Sequence, residues 1–302
     1  MIEVRRALGP CHLVRAPVSG LRHLGVPRGG PADRLACMVA ASLAGNLSEW
    51  WSLECAMVMP VLQCKVDLGC VYSGPPTELV VESERGSHSP MVPGSFVWPA
   101  GSILRGGTFQ KGLRGYLAIR GGLNPPRQTI GSVAKLVAGD VLEATTGSLP
   151  TRYLADLPAW SNPAGIVLHI LPGSDLAHDL ADRLKGPWRV GPASDRMGLR
   201  LEGAALSLPL KAGRLSEPVV PGTVQLPGGG SPIVLGVDGQ TIGGYPRLAH
   251  VVDADMDLLG QLRPGDVFQF CLVSPEEACS LGQVRARAMR DLGVRISESR
   301  GW

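Results

Sequence analysis

The sequence predicts a mainly β protein of two strand-rich halves with a few short helices. Forty glycines and 26 prolines are scattered along the 302 residues instead of being gathered in one tract, which marks a chain of many tight turns. Its apolar runs are strand-length and end in turn residues, and helical spacing is confined to a few segments. With 44% hydrophobic residues, the chain can bury one large core or two ordinary ones.

The elements follow in order. Asp33 is placed to cap a helix ending near Ala44, with Leu35, Met38, Val39, Ser42 and Leu43 at i, i+3, i+4, i+7 spacing and Gly45 as its stop. This reads as core packing with a polar back. Strands are expected at Cys70–Tyr72, Leu79–Val81, Ser95–Trp98 and Gly115–Ile119. The stretch from Glu143 to Pro163 has no clear period and reads as a linker, which divides the chain into residues 1–155 and 156–302. Beyond it come a strand at Ile166–Leu171, a short helix that Ser174 can cap and Pro187 ends, a hairpin of Val224–Leu226 with Ile233–Val237, and a strand at Leu248–Val252. A short helix at Met256–Gln261 and a strand at Val267–Val273 follow. Ser274-Pro275-Glu276-Glu277 is a capping box with proline at the first helical position, so a helix runs from there to about Arg290.

Composition excludes several function classes. A net charge of +3 and 5% aromatic residues do not fit a nucleic-acid partner. The seven cysteines, odd in number and without a C-x-x-C pair, sit mostly among aliphatic residues and read as buried free thiols. No apolar run reaches bilayer length and MIEVRRALGP has no signal-peptide core, so the expected compartment is the cytoplasm, with no membrane partner. His169, His178 and His250 lack metal-ligand spacing, and no metal site is predicted. Neither G-x-S-x-G nor G-x-x-x-x-G-K-[ST] occurs.

The segment from Ser216 to Pro246 carries the densest chemistry. Its two strands are joined by Pro227-Gly228-Gly229-Gly230, and the second empties into Asp238-Gly239-Gln240-Thr241-Ile242-Gly243-Gly244-Tyr245. That loop holds a carboxylate, a carboxamide, a hydroxyl and a phenol beside paired glycines. A plain glycine-rich turn is the bland account, and the density of unlike donors and acceptors favours a binding site. Gln225 lies between Val224 and Leu226, so alternation turns it to the opposite face from both. It belongs either to a polar network or to a pocket. Glu217 either orients a base or accepts an N–H from a ring amide at a strand mouth, or is a solvated loop carboxylate. Asp195-Arg196 and Arg200 offer either bidentate recognition of a planar group or an ion pair tying strand to strand.

The run EPVVPGTVQLPGGGSPIVLGVDGQTIGGYP, starting at Glu217, resembles a signature of the allophanate hydrolase/5-oxoprolinase carboxyltransferase family. So do SDRMGLRLEG from Ser194, QLRPGD from Gln261, GVPRGGPAD from Gly25 with Gly45-Asn46, and RGYLAIRGG from Arg114. These ordered blocks cover most of the chain. Two polar, loop-like pieces of the family pattern are shortened, one before Gly25 and one after Gly122.

The resemblance implies two cyclophilin-like β-barrel halves. It tips Arg196 toward the site and leaves Arg200 undecided. By their own chemistry Asp238, Gln240 and Tyr245 are the expected catalytic residues, with the carboxylate as base toward a lactam or urea N–H, the carboxamide reading the cyclic amide, and the phenol or a backbone N–H of Gly243-Gly244 steadying an oxyanion. Arg196, Glu217, Gln225, Thr241, Gly243 and Gly244 are then the substrate contacts. The implied activity is that of one component of an ATP-dependent 5-oxoprolinase or a related biotin-dependent carboxyltransferase-type complex, partnered by a B-type, kinase-inhibitor-like subunit and an A-type subunit. ATP is implied for the complex, and biotin for carboxyltransferase relatives. The shortened loops fit a second reading, a non-catalytic antagonist of a Kip-type histidine-kinase inhibitor.

Overall fold

A computed structural model describes residues 1–147, 149–150, 165–208 and 215–298. The chain divides into two compact units, one of Met1–Pro17, Asp33–Trp160 and Asp291–Trp302, the other of Val18–Ala32 and Ser161–Arg290. Most of the expected linker, and the boundary near residue 155, lie outside the described residues.

The first unit contains two sheets. One has seven strands in the order Leu123–Asn124, Val141–Ala144, Ile2–Arg6, Val61–Cys64, Ile103–Gly106, Leu79–Ser83 and Gly86–His88. The other has six, in the order Val133–Lys135, Cys11–Val14, Ser52–Ala56, Arg114–Ile119, Leu68–Ser73 and Gly94–Trp98. A core that includes Val4, Leu13, Leu53, Leu62, Tyr72, Trp98, Leu104 and Leu117 is fully buried, because alternation gives each strand an apolar face. The four strands expected in this half are all present, each extended by one to three residues.

Helix α1 (Arg34–Ala44) packs on the strands Arg114–Ile119 and Leu68–Ser73. Its first turn is closed as expected, with Asp33 Oδ1 accepting from the Ala36 N–H at 2.9 Å. Gly45 ends it in the left-handed region at φ 75°. The packed face differs from the expectation: alanines bury most of the circumference, and Met38 and Ser42 fall on the half-exposed stripe instead. Asn46 then ties the helix end to the Gly121-Gly122 turn, donating to the Ile119 carbonyl at 2.7 Å and accepting from the Gly121 N–H at 3.0 Å.

Polar groups also lie inside this unit. The Tyr116 hydroxyl donates to Glu54 Oε2 at 2.7 Å and accepts from the Asp33 N–H at 2.8 Å, while Arg114 Nε lies 3.4 Å from Glu54 Oε1. Burial, reinforced by the Glu54 and Asp33 carboxylates, pushes the Tyr116 phenol far up and keeps it a donor. The Tyr116 hydroxyl, the Glu54 carboxylate and the Asp33 N–H satisfy one another, which makes their burial tolerable.

The second unit is a closed seven-stranded barrel in the order Ile166–Pro172, Arg247–Val251, Thr223–Gln225, Ile233–Leu235, Gly198–Glu202, Trp188–Val190 and Val267–Leu272. The first and last of these pair in parallel, Ile166 opposite Phe268 and Ile170 opposite Leu272. Leu168, Ile170, Trp188, Val224, Val234, Leu248, Val251 and Phe268 fill its interior. Ser174 does not cap a helix; a 3-10 turn at His178–Leu180 leads into the four-residue α2 (Ala181–Leu184), with Ala177 as the N-cap of the turn. Helix α3 spans Met256–Gln261, as expected. Helix α4 runs Pro275–Glu298, of which the residues through Arg290 belong to this unit. Its capping box is formed, with Ser274 N–H to Glu277 Oε2 at 2.7 Å and Glu277 N–H to Ser274 Oγ at 3.2 Å. It continues past the expected end near Arg290, since no glycine or proline follows Gly293 before Glu298. Among the described residues no helix is long and apolar enough to cross a membrane.

Candidate functional site

One outward face of the barrel is polar. Thr223 lies opposite His250, Val224 opposite Ala249 and Gln225 opposite Arg247, with a bulge between Val224 and Gln225 that passes over Leu248. Val224 and Leu248 enter the core. Thr223, Gln225, Arg247 and His250 stay out of it, brought onto a common face by alternation and the bulge. A small two-stranded sheet covers this face, with Glu217 opposite Gly243 and Pro218 opposite Ile242.

Gln225 is 0% exposed. Its Oε1 accepts from Gln240 Nε2 at 3.4 Å, and its own Nε2 is buried with no hydrogen-bond partner. Leaving an amide donor unpaired in the interior costs about 1–3 kcal/mol, so stability alone does not account for a glutamine here. The covering strand presses on this group: a Cβ on Gly243 would stand 2.7 Å from Gln225 Nε2. Gly244 carries no such constraint, with the Ser216 hydroxyl the nearest atom at 3.5 Å. The close approach needed for a glycine is therefore to a side chain of this chain, and only at Gly243.

Arg196 and Asp238 form a second group. Arg196 Nε donates to Asp238 Oδ2 at 2.7 Å and Nη2 to Asp238 Oδ1 at 3.0 Å, while Nη2 also donates to the Gly30 carbonyl at 2.6 Å. Backbone bonds run alongside, from the Asp238 N–H to the Arg196 carbonyl at 3.1 Å and from the Gly29 N–H to the Val237 carbonyl at 2.9 Å. Asp195 shapes the turn that presents Arg196, its Oδ1 accepting from the Met197 and Gly198 N–H groups at 2.8 and 3.2 Å. Both oxygens of Asp238 are thus engaged by a fork that matches them.

The loop 238–245 sorts its polar groups into separate places. Asp238 joins Arg196, and Gln240 joins Gln225. Thr241 is buried, its carbonyl accepting from the Val219 N–H at 3.0 Å. Tyr245 stands 47% exposed at the surface. Glu217, also half exposed, lies 2.6 Å from Arg247 Nη2. In the sequence Arg247 lies within what reads as an ordinary strand. Its importance comes from the bulge, which turns it toward Glu217, and from Asp175, whose Oδ2 accepts from the Arg247 N–H at 2.8 Å. His250 faces the same side, and burial, opposed in part by Asp253, holds its imidazole below the ordinary value of 6.5. Among the described residues no group of His, Cys, Asp and Glu is arranged to hold a metal ion.

The chain belongs to the family described as carboxyltransferase domain, subdomain A and B, whose model matches residues 24–272. It is 31% identical over 282 residues to the C-type subunit of the 5-oxoprolinase of Haemophilus influenzae, covering 87% of this chain and 88% of that protein. Among solved structures, TTHA0988 is 34% identical with a TM-score of 0.77; the match covers 90% of this chain but only 56% of the TTHA0988 chain. The Kluyveromyces lactis urea carboxylase superposes with a TM-score of 0.84 over 96% of this chain and 29% of its own, and at 23% identity that likeness concerns the fold.

Proposed function

We propose that this chain is the C-type subunit of an ATP-dependent 5-oxoprolinase, an amidohydrolase that opens a cyclic amide in company with B-type and A-type subunits. The observation that carries the reading is the nearly end-to-end similarity, at 31% identity, to the C-type subunit of a 5-oxoprolinase. The site adds a chemical reason. Gln225 holds a carboxamide donor without an acceptor in a dry setting, and a lactam carbonyl is the acceptor that such a donor lacks. Gln240, bonded to Gln225, is placed to read the ring N–H, and Thr241, Gly243 and Gly244 supply the cover that must lift to admit it. Arg196 and Asp238 anchor the loop. As a base, Asp238 would have to share its oxygens with Arg196, so its first role in this geometry is to fix that guanidinium. Tyr245 stands where an incoming substrate or partner chain meets it.

Among the described residues, the cavity of about 140 Å³ at Pro227–Gly230 is lined by Ala205, Leu206, Ser207, Leu208 and Leu226. The sequence has no G-x-x-x-x-G-K-[ST] run, and the nucleotide is attributed in this reading to a partner subunit. Biotin, the carboxyl carrier of carboxyltransferase relatives, presents a ureido ring with the same N–H and C=O pair as a lactam, and the Gln225 and Gln240 carboxamides complement it.

The test is reconstitution with A-type and B-type subunits and measurement of ATP hydrolysis that depends on 5-oxoproline. Gln225→Leu is expected to lower turnover about a hundredfold or more, the scale of losing one donor aimed at a developing oxyanion, without lowering the melting temperature. A reconstituted complex with no such hydrolysis, in which the chain still binds the kinase-inhibitor-like subunit, supports the second reading of a regulatory antagonist. The engagement of both Asp238 oxygens by Arg196 is the feature that favours that alternative.

A further inference from the structure

Beside the covered glutamine, Gly173, Ser174, Pro218, Val219, Val220, Thr223, Arg247, Ala249 and His250 line an open cavity of about 240 Å³. We propose that this cavity is the subsite for the carboxylate of a small, compact organic acid, with Arg247 as the residue that selects for it. The inference rests on the cyclic-amide reading above and adds to it the place where the acid group of such an amide is held and the residue that selects it.

The cavity is small. Pockets for drug-sized ligands span about 300–1,000 Å³, so this one suits a single small ring or short chain. Its wall is mixed: Pro218, Val219, Val220 and Ala249 are apolar, while Ser174, Thr223, Arg247 and His250 bring polar groups. Such a lining takes a molecule with a hydrocarbon body and one charged end.

The charge of the lining is positive. Arg247 is the only lining residue with a permanent positive charge, and burial keeps His250 toward its neutral form. The lining itself contains no carboxylate. The acidic groups nearest Arg247 are Glu217, at its Nη2, and Asp175, whose Oδ2 is already bonded to the Arg247 N–H and stands 3.3 Å from the Ser174 hydroxyl. Arg247 Nε is buried and has no hydrogen-bond partner. A guanidinium with an idle donor in its plane is matched by a carboxylate, which takes two parallel N–H bonds.

Glu217 can give way to a ligand. The Glu217–Arg247 pair is 45% and 31% exposed on its two sides, and pairs so placed contribute little to stability. The carboxylate of a ligand can therefore compete with Glu217 for the Arg247 guanidinium. Thr223 Oγ1 accepts from the Val220 N–H at 3.3 Å, which leaves its own proton to donate to the same acid group. Gln225 lies directly opposite Arg247 in the ladder but is fully buried and outside the cavity's lining, so an acid group on Arg247 brings a small ring up to the cover that hides the glutamine.

Calorimetric titration of the full chain with three probes tests this: 5-oxoproline, cyclopentanecarboxylate, which keeps ring and acid but not the amide, and 2-pyrrolidinone, which keeps the amide but not the acid. Both acids are expected to bind and 2-pyrrolidinone not to bind at the same millimolar concentrations. Arg247→Met should weaken both acids roughly tenfold or more, Arg247→Lys should weaken them less, and Glu217→Gln should tighten them severalfold by removing the competing carboxylate. If Arg247→Met does not fold, Arg247→Lys and Glu217→Gln carry the test. Binding of neither acid, or acid binding indifferent to these substitutions, overturns the subsite. Equal binding of the two acids leaves the subsite standing and counts against the cyclic amide as the ligand, and absence of turnover in the reconstituted complex bears on the proposed function alone.

Discussion

Replacing Asp238 by asparagine keeps the shape of the loop and turns an amide N–H₂ toward a guanidinium that needs an acceptor. Arg196 is 8% exposed and Asp238 21%. Breaking a buried pair by removing one partner costs about 3–5 kcal/mol; partial access of water to Asp238 lowers this to about 2–4 kcal/mol. For a domain of 150–250 residues each kcal/mol moves the melting temperature by about 2–4 °C, so Asp238→Asn is expected to lower the transition of the barrel unit by roughly 4–16 °C. Scanning calorimetry on Asp238→Asn, Arg196→Met and the double variant Arg196→Met/Asp238→Asn gives the coupling directly, expected at about 1–3 kcal/mol. The loss should be local first. The Gly29 and Asp238 amides, bonded to the Val237 and Arg196 carbonyls, should exchange with solvent faster in each single variant. A melting temperature unchanged by Asp238→Asn, or single-variant effects that simply add, would show that the pair does not hold the loop, and the carboxylate would return as a free base.

Three further outcomes follow from the same geometry. Gly243→Ala should destabilise the barrel unit measurably, because its Cβ would meet Gln225 Nε2 at 2.7 Å, whereas Gly244→Ala, with nothing nearer than 3.5 Å, should be nearly neutral in thermal melts; equal effects would mean that the cover does not rest on Gln225. Since the folded-state pKa of His250 lies below the ordinary 6.5, the unfolded chain binds the proton more readily. The contribution of His250 to stability should be complete above about pH 6.5 and fall as the pH drops through the folded value, a slope that His250→Gln should reduce in denaturant titrations at pH 5 to 8. A thiol reagent should label Cys271 and Cys279, which are exposed, in the native protein, while Cys11, Cys37, Cys55, Cys64 and Cys70 stay unlabelled until unfolding. Burial pushes the Cys11 thiol up to about 12, so its thiolate is absent at neutral pH; rapid native labelling of more than two thiols would contradict the buried assignment.

What can be read from the sequence is local. The cap at Asp33, the stop at Gly45, the box at Ser274 and the alternation about Gln225 each involve neighbours within a few residues, and each is present in the fold. Helix length is less legible. Gly282 and Gly293 weaken a helix without ending it, and α4 passes both; around α1, small alanines bury on every side and blur the spacing that assigns Met38 and Ser42 to the core. The site is visible as a set of residues and not as an arrangement. Nothing local shows that Asp238 is engaged from 42 positions away, and the bulge that turns Arg247 toward Glu217 leaves no mark in the sequence. An ion pair for Arg196 and a polar network for Gln225 both fit the local pattern, and only the fold places the first against Asp238 and gives the second half of its partners.

The parallel pairing of Ile166–Pro172 with Val267–Leu272 has a consequence for how the barrel forms. Its opening strand can recruit its neighbour at Arg247–Val251 only after most of the unit has been made, and its other edge stays bare until the final strand arrives. Until then, Ile166–Pro172 and Trp188–Val190 expose unpaired backbone groups on which another nascent copy can dock. Formation by such distant pairings is slow, and a chain cut short before Leu272 would be left with an unsealed ring whose apolar interior faces water. Fidelity of synthesis through the last strand is therefore a condition for solubility of the entire second unit.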